Sequence, residues 1–419
     1  MLQSHYKVAS EHATGGYTLD YLLNSPLGVG GIRFENRVCF QPMEGCDCNT
    51  DGTPSELTVA KYISAAQSGA GLIWVEACAV CPEGRTTPRQ MMLTSENVGV
   101  FKAFVADLRR IALEECGVKP VFILQLTHSG RQSIVPMIAY RHPIYEATRP
   151  VSDDNIVSDE YIDTLPDKYV HSARLAIEAG FDGVDVKSCH GYLMQELLSS
   201  FTRGGRYGGS FVNRTRLYLD AIRAVKAAVP SDFLVVTRLG ISDMVPYPYG
   251  FGTTAENELD LREPDMLIEK IMSLGISLLN VTIGNPYYNS HVNRPFRKGA
   301  YTPPEEAQVG LERFKTVERH IKEKFPGLTL IGSGLSYYRD DLIEQSESQL
   351  RSGICDMVGY GREWLAYPMF YRDFRNGNFN PKRTCASCSR CTALMRAGCV
   401  AGCAMFNDYY KKLYGEKVK

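Results

Sequence analysis

Eight short, β-rich apolar runs alternate with eight amphipathic, helix-length segments, and this alternation constrains the fold more than any single motif. The runs are Arg37–Phe40, Leu72–Glu76, Val121–Leu126, Gly183–Lys187, Phe233–Arg238, Ser277–Thr282, Leu328–Ile331 and Asp356–Tyr360. The segments between and after them are Ser55–Ser68, Ser95–Glu115, Asp167–Ala179, Asn213–Val229, Glu263–Leu274, Glu305–Lys324, Arg339–Arg351 and Glu363–Arg375. Four junctions share one design: Gly69, Gly180, Gly275 and Gly353 each close a helical segment, and a strand follows within a few residues. Glycine there takes a positive φ without a Cβ penalty, which ends a helix cleanly. The runs are almost continuously apolar, as parallel strands covered on both faces must be. Eight such units predict an α/β chain closed into a (β/α)8 TIM barrel. An open doubly wound sheet, which shares the alternation, is the competing architecture.

The barrel is assigned residues 36–379. Residues 1–35 contain Gly28-Val29-Gly30-Gly31 between short apolar pairs, expected to form a hairpin cap beneath the barrel. Residues 380–419 form a short tail dominated by cysteine. The stretch Ser133–Pro166, after the third strand, reads as a long loop on the catalytic face.

Composition narrows the partners. Among 419 residues, 46 Lys and Arg nearly cancel 47 Asp and Glu, so no global field draws the chain to nucleic acid or anionic lipid. No apolar run approaches a membrane span, and the opening MLQSHYKVASEH lacks the apolar core of a signal peptide, so a cytoplasmic location is expected. Thirteen cysteines would stay reduced there, pointing to metal or catalytic uses over disulfides.

In a barrel enzyme the active site is assembled at the C-terminal ends of the strands, and here those ends are polar. The turn Gly332-Ser333-Gly334 after strand seven and Gly361-Arg362 after strand eight would let backbone N–H groups, a helix N-terminus and a guanidinium meet a phosphate, with Arg362 pairing bidentately. Tight turns with no ligand are the plainer reading of the same glycines. Gln125 and Arg238 offer a hydrogen-bonding amide and a cation to a planar heterocycle, so a nucleotide-like cofactor such as FMN is expected across the barrel mouth. Strand four adds Lys187, His190 and Tyr192 within six residues, a set suited to holding a carbonyl oxygen and delivering a phenolic proton.

The strings Asn36-Arg37…Pro42-Met43, Val75-Glu76-Ala77-Cys78-Ala79-Val80, Gln125-Leu126-Thr127-His128-Ser129-Gly130-Arg131, Ala179-Gly180-Phe181-Asp182-Gly183-Val184-Asp185 and His190-Gly191-Tyr192-Leu193 resemble the old yellow enzyme family of flavin-dependent ene-reductases. So do Tyr207-Gly208-Gly209-Ser210 with Asn213-Arg214, and Gly361-Arg362, in order from about residue 20 to residue 376. The resemblance implies that Pro42, Met43, Ala77, Gln125 and Arg238 contact the isoalloxazine of FMN. It also implies that Ser333, Gly334, Gly361 and Arg362 bind its phosphate and that Tyr192 is the proton donor. Lys187 departs from the histidine of most relatives, and a lysine on its flexible stem is expected to hold an oxyanion less rigidly. The long aromatic segment Asn285–Pro295 is expected to supply a lid or a second imidazole, His291, or to be only a surface loop.

Cys385-x2-Cys388-x2-Cys391-x11-Cys403, with Cys399 interposed, is a density of thiols suited to iron–sulfur or zinc. Unligated thiols are the third reading. Three cysteines within seven residues can wrap one corner of a cluster while Cys403 returns from the opposite side. Relatives resembling dienoyl-CoA reductase and trimethylamine dehydrogenase carry a [4Fe–4S] site directly after the barrel, which implies Cys385, Cys388, Cys391 and Cys403 as ligands. Their second gap is one residue longer. Without their C-terminal FAD/NAD domains, such a cluster here would serve a separate redox partner protein or be a structural remnant.

The function expected is FMN-dependent reduction of the C=C bond of an enone or enoate, with NAD(P)H as electron donor and protonation by Tyr192. An amine or demethylating dehydrogenase of the trimethylamine dehydrogenase type, or an electron-transfer subunit docking through the tail, are the alternatives.

Overall fold

In the computed structural model, which describes residues 20–418, eight parallel strands close into a barrel. A two-stranded antiparallel hairpin, β1 (Leu27–Val29) and β2 (Ile32–Phe34), precedes it. The barrel strands are β3 (Val38–Phe40), β4 (Leu72–Ala79), β5 (Val121–Thr127), β6 (Gly183–Val186), β7 (Leu234–Ser242), β8 (Leu278–Ile283), β9 (Thr329–Gly332) and β10 (Met357–Tyr360), with β10 paired to β3 to complete the circle. Closure rules out the open sheet. The four junction glycines all have left-handed φ: 78° at Gly69, 85° at Gly180, 87° at Gly275 and 71° at Gly353.

The period-2 alternation of a strand divides each one between two cores. Ile73, Val75, Phe122, Leu124 and Val235 face outward into the helices. Leu72, Trp74, Val121, Ile123, Leu234 and Val236 face inward, packed with Val29 and Phe34 of the hairpin. The hairpin thus plugs the N-terminal end of the barrel. Its turn is the Gly30-Gly31 pair alone, both at positive φ, while Gly28 and Val29 belong to β1. The part of the N-terminal segment before residue 20 lies outside the described residues.

Two expectations about elements change. The final helical segment is two short helices, Arg362–Ala366 and Phe370–Arg375, because Pro368 can neither donate nor continue a helical turn. The loop after β5 is built, not loose: it carries a turn of helix at Pro143–Glu146 and another at Asp159–Asp163. Among the described residues no helix is long and apolar enough to cross a membrane.

Candidate active site

Parity along the strands carries the inward side chains from an apolar floor to a polar mouth. On β7, Leu234 and Val236 lie in the lower core and Arg238 at the top; on β5, Val121 and Ile123 lead up to Gln125. The same step of two leads from Cys39 to Gln41, Asp185 to Lys187, Ile331 to Ser333 and Met357 to Gly359. Between floor and mouth, Asp185 accepts hydrogen bonds from Trp74 Nε1 at 3.0 Å, Gln125 Nε2 at 2.7 Å and the backbone N–H of Arg238 at 2.8 Å. Burial raises its carboxyl to about 6, while these donors oppose the shift.

Above this layer is one cavity of about 570 Å³. Pro42, Met43, Ala77, Gln125 and Arg238 line it, as do Ser333, Gly334, Gly361 and Arg362, and so do Lys187, His190 and Tyr192. The structure therefore brings every expected flavin, phosphate and proton-transfer residue to one place.

The cavity is rich in buried donors without acceptors: Arg238 Nε, Arg294 Nε, Arg362 Nη1 and His190 Nε2. Such groups are costly unless a ligand supplies acceptor atoms. An anionic nucleotide carrying ring carbonyls and one phosphate has the complementary chemistry, so the residues present fit FMN. The phosphate end differs in detail from expectation. Arg362 Nη2 donates one of its N–H groups to the carbonyl of Pro295 at 2.8 Å, which orients the guanidinium, while the buried Nη1 has no partner and is left for an anion. Ser333 is engaged as well: its N–H donates to Glu318 Oε1 at 2.8 Å and its hydroxyl to Val281 O at 2.7 Å. Gly334, at φ 86°, and Gly361, where an added Cβ would lie 3.1 Å from Met43 Sδ, keep the floor of this end open.

His190 and Gly191, both at φ 67°, turn the chain sharply after β6 and deliver Tyr192 to the start of the helix Leu193–Leu198. Burial, then the charges of Arg238, Lys187 and Arg294, push His190 well below its usual 6.5, so it is a neutral imidazole at pH 7. Lys187 is 3% exposed, and its Nζ lies 3.6 Å from the centroid of the Tyr192 ring. Its ammonium is therefore held by a cation–π contact, not mobile. Burial lowers its pKa.

Sequence reasoning missed several residues of the cavity wall. Glu44, at the end of β3, accepts a hydrogen bond from the Tyr192 hydroxyl at 2.9 Å. Tyr287 places its hydroxyl 3.2 Å from the same atom. Arg294 is buried with Arg362 and Arg396 as charged neighbours, and burial, then their repulsion, lowers it to about 10. The loop after β8 thus contributes Tyr287 and Arg294. His291 instead bonds the Tyr301 hydroxyl at 2.8 Å through Nδ1 and does not line the cavity. Strand parity finds Gln41 and Thr282; nothing local marks the loop residues.

The tail forms another wall, through Thr392, Met395, Arg396, Gly398 and Cys399. It docks by Ala401 N–H to Gly45 O at 2.7 Å and Cys385 N–H to Glu363 Oε2 at 2.8 Å. Leu394, Val400, Ala404 and Tyr410 form a small core of its own against Leu57. Ser387 and Ser389, between the first three cysteines, sit at φ 49° and 56°. This left-handed conformation costs about 1–2 kcal/mol for each non-glycine residue. Burial raises Cys385 to about 12 and Cys403 to about 11; the charge of Cys391 adds to both, and that of Cys388 to the second. Cys391 thus neighbours both Cys385 and Cys403, and Cys388 neighbours Cys403, whereas Cys399 Sγ bonds the carbonyl of Ala397. Among the described residues no group of three or more His, Cys, Asp or Glu side chains could hold a metal ion, so the tail offers no ready zinc site. A [4Fe–4S] cluster takes one thiolate at each of four separate irons, a wider set than one ion accepts.

Comparison with known proteins agrees with this geometry. The NADH:flavin oxidoreductase / NADH oxidase family matches residues 23–378. An NADH oxidase from Thermoanaerobacter brockii is 26% identical over 381 residues, covering 89% of this chain and 52% of that protein. A cinnamate reductase from Clostridium sporogenes is 25% identical, covering 92% and 57%. The chain therefore spans a little over half the length of these two relatives. A 2-naphthoyl-CoA reductase solved in complex with 2-naphthoyl-CoA superposes with a TM-score of 0.75 at 19% identity, over 94% of this chain and 58% of that one, a likeness of fold.

Proposed function

The chain belongs to the NADH:flavin oxidoreductase / NADH oxidase family, and on that premise we propose that it is an FMN-dependent ene-reductase acting on a small enone or enoate, with NAD(P)H as donor. The observation that carries this is the meeting of Lys187, His190 and Tyr192 with the unpartnered donors of Arg238, Arg294 and Arg362 in one cavity at the barrel mouth. Cinnamate, the substrate in the name of one relative, is an α,β-unsaturated carboxylate, which favours the same class.

Gln125 and Arg238 would hold the isoalloxazine, with Pro42, Met43 and Ala77 against it, and Gly334, Gly361 and Arg362 would hold the phosphate. Bound there, FMN supplies reversible hydride transfer between nicotinamide and substrate. The chain's own residues do the rest. The neutral imidazole of His190 donates Nε2–H, which has no other partner, to the substrate carbonyl oxygen. Lys187, fixed over the Tyr192 ring, adds positive potential where charge develops on that oxygen. Tyr192, 3% exposed, delivers the proton to the α-carbon from a position shielded from water. Cys385, Cys388, Cys391 and Cys403 are assigned to a [4Fe–4S] cluster, a reading supported by their spacing, by the influence of Cys391 on Cys385 and Cys403, and by the two left-handed serines that wind the loop.

An anaerobic preparation reduced with NADPH and mixed with 2-cyclohexenone or cinnamate tests the reading. Reoxidation of the flavin by the alkene is the expected result. Failure of both alkenes to reoxidise the flavin, with amines instead reducing the oxidised flavin, overturns it.

A further inference from the structure

Tyr192 has a carboxyl neighbour that ene-reduction as described does not use. Glu44 Oε2 lies 2.9 Å from the tyrosine oxygen, inside the cavity, and Tyr287 closes the group at 3.2 Å. Two ammonium groups reach Glu44 with their charge, and both are committed elsewhere: Lys61 to Asp47 and Glu76, and Lys187 to the face of the Tyr192 ring. A half-buried carboxyl hydrogen-bonded to a phenol inside the cavity and lacking an ion pair of its own is a site where a proton can be kept.

We infer that Glu44 is the proton store for Tyr192, a positioning residue that refills the phenol as it donates to substrate. The inference rests on the ene-reductase reading. The step balances as follows. A hydride adds to the β-carbon, the Tyr192 O–H bond breaks as the α C–H bond forms, and the Glu44 carboxyl proton passes to the tyrosine oxygen. Glu44 is left as a carboxylate, and one proton from water restores it before the next turnover.

The alternative, leaving a tyrosinate in the cavity, is the costlier one. Burial first, then the charge of Glu44, raises Tyr192 well above its usual 10.0. A carboxyl is intrinsically the stronger acid and bears the negative charge more cheaply. Burial also raises Glu44 above its usual 4.5, so that it retains a proton further up the pH scale than an exposed glutamate does. The groups facing it come from several elements. Lys187 after β6 and Lys61 on the helix Glu56–Ala66 favour its charged form, as do hydrogen bonds from Tyr192 and the Gln90 amide. Cys46, beside it in the loop after β3, and Tyr287, in the loop after β8, are raised by its charge.

The test uses reduced holoenzyme and 2-cyclohexenone in single turnovers between about pH 5 and pH 9, where a stored carboxyl proton would be lost. In the native enzyme the oxidative rate should fall as pH rises through one ionisation lying above 4.5. Glu44→Gln keeps the shape and lacks the acidic proton; its oxidative step should lose that ionisation and slow by about 10²-fold. Glu44→Asp should restore the ionisation. A native pH profile in Glu44→Gln overturns the inference. An infrared comparison separates it from the broader reading, because it needs no turnover. The native spectrum minus that of Glu44→Gln should show one protonated-carboxyl C=O band that bleaches as pH rises. If neither enone nor enoate reoxidises the flavin, ene-reduction falls while that band still reports a stored proton; absence of the band overturns the store whatever the activity.

Discussion

At the barrel mouth Gln125, Lys187, Arg238 and Ser333 are placed by the regular geometry of a strand, whereas in the tail each cavity residue is placed by docking contacts that no repeat dictates. Arg238 is at the rim because it lies two residues beyond Val236 on an inward-facing row. Met395 and Arg396 reach the same cavity through docking contacts: Ala401 bonds Gly45, Cys385 bonds Glu363, the N–H groups of Arg297 and Lys298 bond Ser387, and Leu394 packs into a small core of its own. The mouth is thus rigid through the whole closed sheet, while the tail's hold on the cavity rests on a few contacts. Catalysis assigned to the mouth should be sensitive to single atoms there and indifferent to the tail's metal content.

The largest expected effect tests that sensitivity. Tyr192→Phe removes one oxygen and keeps the ring under Lys187, so reduction by NADPH should survive while oxidation by an enone slows about 10²- to 10⁴-fold. Rapid-mixing absorbance resolves the two halves. An unchanged oxidative rate would move the acid to another group and make the mouth less decisive than its geometry implies.

A second substitution probes the seam between the regions. Lys61 bridges Asp47 and Glu76, and Glu76 in turn accepts the N–H of Gly45, whose carbonyl holds the tail. Lys61→Met leaves two buried carboxylates uncompensated and should cost about 3–5 kcal/mol of stability. Burial, opposed by Lys61, places Glu76 at about 7. Removing Lys61 raises it further, so the folded variant binds protons that the unfolded chain does not. Above about pH 7 the native Glu76 has ionised while that of the variant still holds its proton, so the deficit should grow as pH rises beyond 7 and level off below it, where both folded forms are protonated. Thermal unfolding at two pH values decides; a deficit independent of pH would mean that the bridge carries no charge-dependent load.

The same contrast explains what could be read from the amino-acid order. Eight apolar runs and four helix-stopping glycines are local signals, and they locate the barrel strands to within a few residues. Strand parity, a local signal too, identifies Gln125, Lys187, Arg238 and Ser333 as neighbours across the mouth. Glu44 and Tyr287 belong to loops whose course is set by packing, so nothing in their surroundings in sequence pairs them with Tyr192. The hydrogen bond from Arg362 to Pro295 and that from Ser333 to Glu318 were invisible for the same reason, and they orient the guanidinium and occupy the Ser333 N–H at the phosphate end.

The third effect is moderate. Arg362→Ala removes a guanidinium whose unpartnered Nη1 faces the cavity, and a charge-assisted hydrogen bond from it to phosphate is worth about 1.5–3 kcal/mol, a loss of roughly 10- to 150-fold in FMN affinity. Fluorescence titration of the apoprotein measures it directly. A larger loss would mean that the guanidinium meets the phosphate through more than one N–H.

The smallest expected effect is the sharpest probe of the tail. Cys399 lines the catalytic cavity, and its thiol bonds the Ala397 carbonyl of its own loop, apart from the thiols of Cys385, Cys388, Cys391 and Cys403. Cys399→Ser keeps a donor of similar size in that place, so iron and sulfide content in anaerobically reconstituted protein should stay at the native level, with FMN retained. On the proposed ligand set, Cys403→Ser removes one corner instead, and should empty the site of iron while the barrel mouth still binds FMN. The two serines differ by four positions in the chain and by one sulfur atom each, so the contrast does not depend on how well either variant folds if both keep the flavin. Equal iron in the two variants would remove Cys403 from the ligand set, and iron lost only with Cys399 would transfer the fourth corner to the cavity wall, within reach of the substrate.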